Sequence, residues 1–127
     1  MSLELHALLA AQQSLTTADE PPTGAALRTR GGRIYTGCAI RLDAGTGGCA
    51  LRHALAAARA EEGPGLEVEA IALVGLGGDG DPVSARPCAD CRRWLAVLAP
   101  GAMLGYRERD GAWASLQVAP HHPGAKA

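Results

Sequence analysis

Apolar side chains recur at near-helical spacing at Leu5, Leu8, Leu9 and Leu15, behind a serine, Ser2, able to cap a helix. The pattern ends in the polar, proline-containing stretch Thr16 to Thr23, and a helix with an apolar side predicts a sheet for it to lie against. Two short runs follow, Gly24 to Arg30 and Arg33 to Ile40, and the Gly31-Gly32 break between them predicts a hairpin of antiparallel neighbours. Asp43 to Gly48 is turn-rich, and Thr46 can cap a helix from about Gly47 to Glu62 that stops at Gly63-Pro64-Gly65, which puts Cys49 in its first turn. Val68 to Val74 is nearly continuous in apolar residues, as expected of a strand covered on both faces, and the glycine-rich segment Gly75 to Asp81 follows as a loop. Pro87 opens a third helix to about Leu98, closed by Pro100-Gly101. The run Ala102 to Arg107 then returns parallel to the earlier strand through a right-handed crossover, and Asp110-Gly111 reverses the chain into a last strand near Trp113 to Val118. The expected fold is a single domain over residues 1–127, a three-layer α/β/α sandwich around a mixed sheet of about five strands. Ala119 to Ala127 is expected to be a disordered tail.

Hydrophobic residues make up 47% of the chain without a single Phe, so Ala, Leu, Val and Ile must build a core of small, tightly packed side chains. The formal charge is -1, and no run of five or six like charges occurs, which argues against polymeric nucleic acid and for a small diffusible partner. No stretch approaches the roughly 18 consecutive apolar residues of a membrane span. The first eleven residues carry no Lys or Arg, unlike a secretory signal. A cytoplasmic protein is therefore expected, and there four cysteines point to metal or catalysis before disulfides.

Pro87-Cys88-Ala89-Asp90-Cys91 puts two thiols three residues apart at a predicted helix start, where backbone amides and the helix dipole favour the thiolate. Such a spacing serves a redox dithiol or a metal site. The redox motif usually follows an early strand, whereas this one lies late in the chain, and Cys49 at a second helix start offers a third metal ligand.

Three stretches together resemble the small zinc cytidine deaminases of free nucleosides. Gly24-Ala25-Ala26-Leu27 with Gly32-Arg33-Ile34-Tyr35-Thr36-Gly37-Cys38 is similar to the family's first hairpin, Cys49-Ala50-Leu51-Arg52 to its C-A-E-R, and Pro87-Cys88-Ala89-Asp90-Cys91-Arg92 to its P-C-x-x-C-R. The resemblance implies that Cys49, Cys88 and Cys91 hold Zn2+ and that Arg52 donates hydrogen bonds offsetting the excess charge of three thiolates. In this enzyme class zinc activates a water that attacks the amino-bearing carbon, while a non-ligand Glu moves the protons. The resemblance further implies a nucleoside-sized substrate and a homotetramer, and a helix of small residues from Ala54 to Ala60 would allow close packing between subunits. Cys38 matches the hairpin cysteine and is expected to be buried as a small hydrophobe.

The departures are as specific as the matches. The glutamate of C-A-E-R is Leu51, which can neither take nor give a proton and is expected to pack with Leu55 one turn on. The family's N-V-E-N, whose first Asn and whose Glu hold the ribose, is Ala39-Ile40-Arg41-Leu42. The phenylalanine before the hairpin is replaced within Pro21-Pro22-Thr23-Gly24, and the C-terminal aromatic that closes a neighbour's pocket is absent. His53, one turn beyond Cys49, can act as a substitute base, close the metal as a fourth ligand, or simply fill the helix face. Asp43 is expected to form a turn and Asp90 to complement a helix dipole. Two functions stay open: hydrolytic deamination of a cytosine nucleoside or similar small aminated heterocycle, or a catalytically silent homologue with a structural zinc and a binding role.

Overall fold

The computed structural model describes residues 2–17, 20–43, 46–79 and 81–120. Helix α1 spans Leu3–Ala11, and Ser2 caps it by accepting the Leu5 N–H on its Oγ at 3.1 Å. Strands β1 (Thr23–Thr29) and β2 (Ile34–Cys38) form the expected antiparallel hairpin, with Arg28 opposite Ile34. Its turn holds three residues, one more than the glycine pair alone implies: the Thr29 N–H donates to the Arg33 carbonyl, and Gly32 supplies the positive φ of 90° that such a turn requires.

Strands β3 (Ile40–Asp43) and β4 (Thr46–Gly48) pair antiparallel as a separate ribbon. Helix α2 is Ala50–Glu62, β5 is Val68–Leu76, β6 is Pro82–Val83 and α3 is Ala89–Leu98. Strands β7 (Met103–Arg107) and β8 (Trp113–Gln117) complete the sheet, whose order is β2-β1-β5-β7-β8 with β6 pairing the end of β5. Among the described strands of this sheet only the β5–β7 pair is parallel, and α3 lies in its connection, so the mixed sheet of the expected α/β fold is present.

Alternation along the central strands separates the two faces. Ala25 and Leu27 of β1, with Ile71 and Leu73 of β5, join a core with Ala50, Leu51, Ala54, Leu55 and Ala58 of α2 and Cys91 and Leu95 of α3. The intervening Ala26, Ala72 and Val74 pack with Ala7 of α1 on the other face. The helices thus form one layer on each side of the sheet, as a three-layer sandwich requires. Among the described residues no helix is long and apolar enough to cross a membrane.

Two expectations need correction. In α1 the buried positions are Ala7 and Ala11, while Leu5 and Leu9 remain 40% and 43% exposed. Alanine faces the sheet because helix and strand meet backbone to backbone: a Cβ on Gly24 would lie 2.0 Å from the Ala7 carbonyl oxygen. The second helix begins at Ala50 and not at Gly47, because Gly47 and Gly48 belong to the ribbon. Gly47 runs at φ 149° against Ile40, where a Cβ would fall 2.1 Å from the carbonyl oxygen. Of the tail expected from Ala119, residues 121–127 lie outside the described residues.

Gly24→Ala is therefore expected to destabilise the protein by about 1–3 kcal/mol, since overpacking must push α1 off the sheet. Gly65→Ala, where nothing lies within 4 Å of the added carbon, should leave stability unchanged or slightly raised. Thermal unfolding followed by circular dichroism compares them, and equal melting temperatures would show that the close approach at Gly24 carries no constraint.

Candidate metal centre

Two helix starts bring the thiols together. Cys49 is the N-cap residue of α2, with extended φ and ψ of -76° and 146°, and its side chain makes no capping bond. Cys88 is the N-cap residue of α3, also extended, and its Sγ accepts the Cys91 N–H at 3.4 Å. Cys91 lies one turn on and is 1% exposed. Sγ of Cys88 stands 3.8 Å from Sγ of Cys49 and 3.4 Å from Sγ of Cys91, and all three sulfurs lie within 4.8 Å of one another. Tetrahedral thiolates at about 2.3 Å from zinc sit about 3.8 Å apart, so the spacing fits three ligands of one ion. Among the described residues no other Cys, His, Asp or Glu joins this group.

Guanidinium groups supply the balancing charge. Arg52 donates from an Nη to Cys49 Sγ at 3.3 Å, and the contact holds its pKa further above the usual arginine range against the opposing effect of burial. Arg41 donates to the same sulfur from its own Nη at 3.5 Å, while its Nε donates to Glu20 Oε2 at 2.9 Å. The Glu20 contact is the larger cause of the raised pKa of Arg41.

The cluster opens into a cavity of about 220 Å³. Its walls are largely apolar, from Pro21, Ala39, Ala50, Leu51, Leu73, Ala85 and Pro87, with Glu20, Arg41, Ser84 and Arg86 adding polar groups. Leu51 belongs both to this wall and to the core with Leu55, and is 1% exposed. Ala39 and Arg41, at the positions matched to sugar-holding residues, do line the cavity. Arg86 pairs with Glu108 and lies over the Tyr106 ring.

The structure does not gather His53 with the thiols. Its Nδ1 is 2.8 Å from the Cys38 carbonyl oxygen, and its ring packs where a side chain on Gly48 would stand. Cys38 is half-buried on β2, Asp43 is exposed on β3 and Asp90 is exposed in the first turn of α3, and none of them lines the cavity. The sequence reading passed over Glu20 and the contact of Arg41 with sulfur. Arg41 carried a signal, as a cation at a matched position; Glu20, 29 residues before Cys49 in a proline-containing stretch, carried none.

The two thiols of Cys88 and Cys91 differ in acidity. Burial opposes ionisation of Cys88, but the backbone N–H and thiol of Cys91 and the thiol of Cys49 outweigh it and bring its pKa below the usual value. Burial, then the hydrogen bond with Cys88 and the charge of Cys49, push Cys91 up to about 12. Cys88, which is also exposed, is therefore the thiol of this pair that ionises first as pH rises. In metal-free protein, iodoacetamide should alkylate Cys88 well before Cys91, as read by peptide mass spectrometry. Prior labelling of Cys91 would contradict the assigned acidities.

No family model and no curated protein matches the sequence, but solved structures do. Cytidine deaminase from Burkholderia pseudomallei is 27% identical, with a TM-score of 0.77 over 93% of this chain and 94% of that one. Cytidine deaminase from Mycobacterium leprae is 25% identical, with a TM-score of 0.68 over 89% of each chain. The enzyme from Bacillus anthracis, at 18% identity and a TM-score of 0.71, shares the fold over 91% of this chain and 81% of that one. With three thiols gathered at two helix starts, the chain is similar to these enzymes over most of its length and has a cytidine deaminase-like fold.

Proposed function

We propose that the chain is a zinc-binding member of the cytidine deaminase family that is silent toward cytidine and uses its cavity to hold a small heterocycle. One observation carries the reading: Leu51 stands buried in the cavity wall beside the thiols, at the position matched to the proton-moving glutamate. Cys49, Cys88 and Cys91 would hold the ion, whose chemistry when bound is Lewis-acid activation of water. Arg52 offsets thiolate charge. Leu51 excludes water from the wall but exchanges no proton, and loss of a general acid–base typically costs about 10²–10⁴ in rate. Ala39 offers no side-chain hydrogen bond to a sugar, and Arg41 spends donors on Glu20 and Cys49. A second reading, hydrolytic deamination of an aminated heterocycle, has one observation in its favour: Glu20 brings a carboxylate to the same cavity.

Purified protein is expected to hold about one zinc per chain, and Cys49→Ala or Cys88→Ala to lose it, by elemental analysis. In a steady-state absorbance assay, zinc-loaded wild type should deaminate cytidine and deoxycytidine barely or not at all. Leu51→Glu should gain turnover only at high substrate concentration, and more with Ala39→Asn, because positioning accounts for several kcal/mol of such barriers. Wild-type turnover on the order of 1–10³ per second would refute silence and make Glu20→Gln the next variant to assay.

Assembly as a homotetramer belongs to the same proposal. Ala54 and Ala58 of α2 face their own core, while Ala56 and Ala60 line an apolar groove with Trp94 and Val97 of α3, the last 60% exposed. That groove supports contact between subunits. Light scattering at micromolar concentration should give four chains per particle; a monomer would overturn this part of the proposal.

A further inference from the structure

The geometry points to Arg41, oriented by Glu20, as a second guanidinium clamp on the metal ligand Cys49, so that this pair sets how tightly the site keeps its ion. The inference rests on the proposed metal reading of the three thiols. Cys49 Sγ receives donors from two arginines, at 3.3 Å from Arg52 and 3.5 Å from Arg41, whereas Cys88 Sγ takes the Cys91 backbone N–H. The two arginines differ in origin. Arg52 comes from the cysteine helix itself, one turn on, while Arg41 comes from β3, across the ribbon from Gly47.

Arg41 is built into place. The Leu15 N–H donates to the Ala39 carbonyl at 3.0 Å, and the Arg41 N–H donates to the Leu15 carbonyl, so β3 is tied to the chain that leads to Glu20. Glu20 then fixes the guanidinium through Nε and leaves an Nη for sulfur. A planar fork spans a carboxylate and a thiolate with separate, fixed nitrogens; a lysine ammonium offers one compact nitrogen and no such fork.

Charge counting gives the clamp its role. Three thiolates and a divalent ion leave one negative charge, which Arg52 cancels. The Arg41–Glu20 pair adds no net charge, so it acts by placing a donor on Cys49 and drawing electron density from that one sulfur. Arg41 is thus a positioning residue for a ligand, and groups of this kind typically tune metal affinity by about 10–100-fold.

The test uses the full chain with zinc and, as a spectroscopic probe, cobalt. In chelator competition, Arg41→Ala and Arg41→Lys should both bind zinc about 10–100-fold more weakly than wild type, and Glu20→Gln should fall between. In the cobalt proteins the sulfur-to-metal charge-transfer band should move to lower energy in both Arg41 variants, while the d–d bands keep their tetrahedral pattern. Unchanged metal-free melting temperatures for Arg41→Lys and Glu20→Gln exclude misfolding as the cause. Wild-type zinc affinity in either Arg41 variant overturns the clamp and leaves the metal reading standing. Failure of wild-type protein to take up either ion overturns both.

Discussion

How closely the start of α2 can approach the hairpin governs the rest of the site. At Gly37 of β2 the strand and helix meet without a side chain between them; a Cβ there would lie 2.4 Å from the Ala50 carbonyl oxygen and 2.5 Å from the Ala54 nitrogen. With α2 held at this distance, its first residue comes level with the start of α3, and the cap positions of the two helices fall beside each other. The thiols meet because the helices do. Closeness also explains the composition, since a layer spacing set by glycine and alanine leaves no room for phenylalanine in the core.

The division of labour within Cys49-Ala50-Leu51-Arg52 follows from helix geometry. Cys49 is outside the helix proper and free of capping duties, so its sulfur can face the cluster. Arg52, three residues on, returns to the same side and reaches that sulfur. Leu51 points into the core with Leu55 while one side of it still touches the cavity. Holding a metal and moving a proton thus rest on neighbouring but independent positions, and a leucine satisfies the core whether or not a reaction occurs there.

Much of this was legible in the sequence, for reasons that can be named. Ile71 to Leu76 is buried on both faces, which leaves a continuous apolar signature, and Pro87 and Gly63 mark helix boundaries through backbone sterics alone. The cysteine spacing and the hairpin motif led to the family before any fold was known. What stayed hidden depended on contacts between distant segments. The β3–β4 ribbon looked like a turn and a helix start, since Gly47 and Gly48 are there to allow close approach by Ile40 and His53 and not to bend the chain freely. The inward face of α1 was misjudged because leucines announce themselves and Ala7 and Ala11 do not. Glu20 had no local pattern; the bridge between Leu15 and Ile40 and the ion pair with Arg41 place it near the cluster.

His53 joins the hairpin to the helix by donating from Nδ1 to the Cys38 carbonyl and by filling the space over Gly48. Together with the backbone contact at Gly37, it immobilises the start of α2 from two directions, and the Cys91 N–H does the same for Cys88 from within α3. A ligand set fixed this way imposes its own shape on whatever ion enters. Three sulfurs at three of the four corners of a tetrahedron suit a d¹⁰ ion, which has no directional preference, and oppose the flattening that Cu(II) or Ni(II) seeks. Discrimination among ions would then arise from the stiffness of the framework, beyond the softness of its sulfurs.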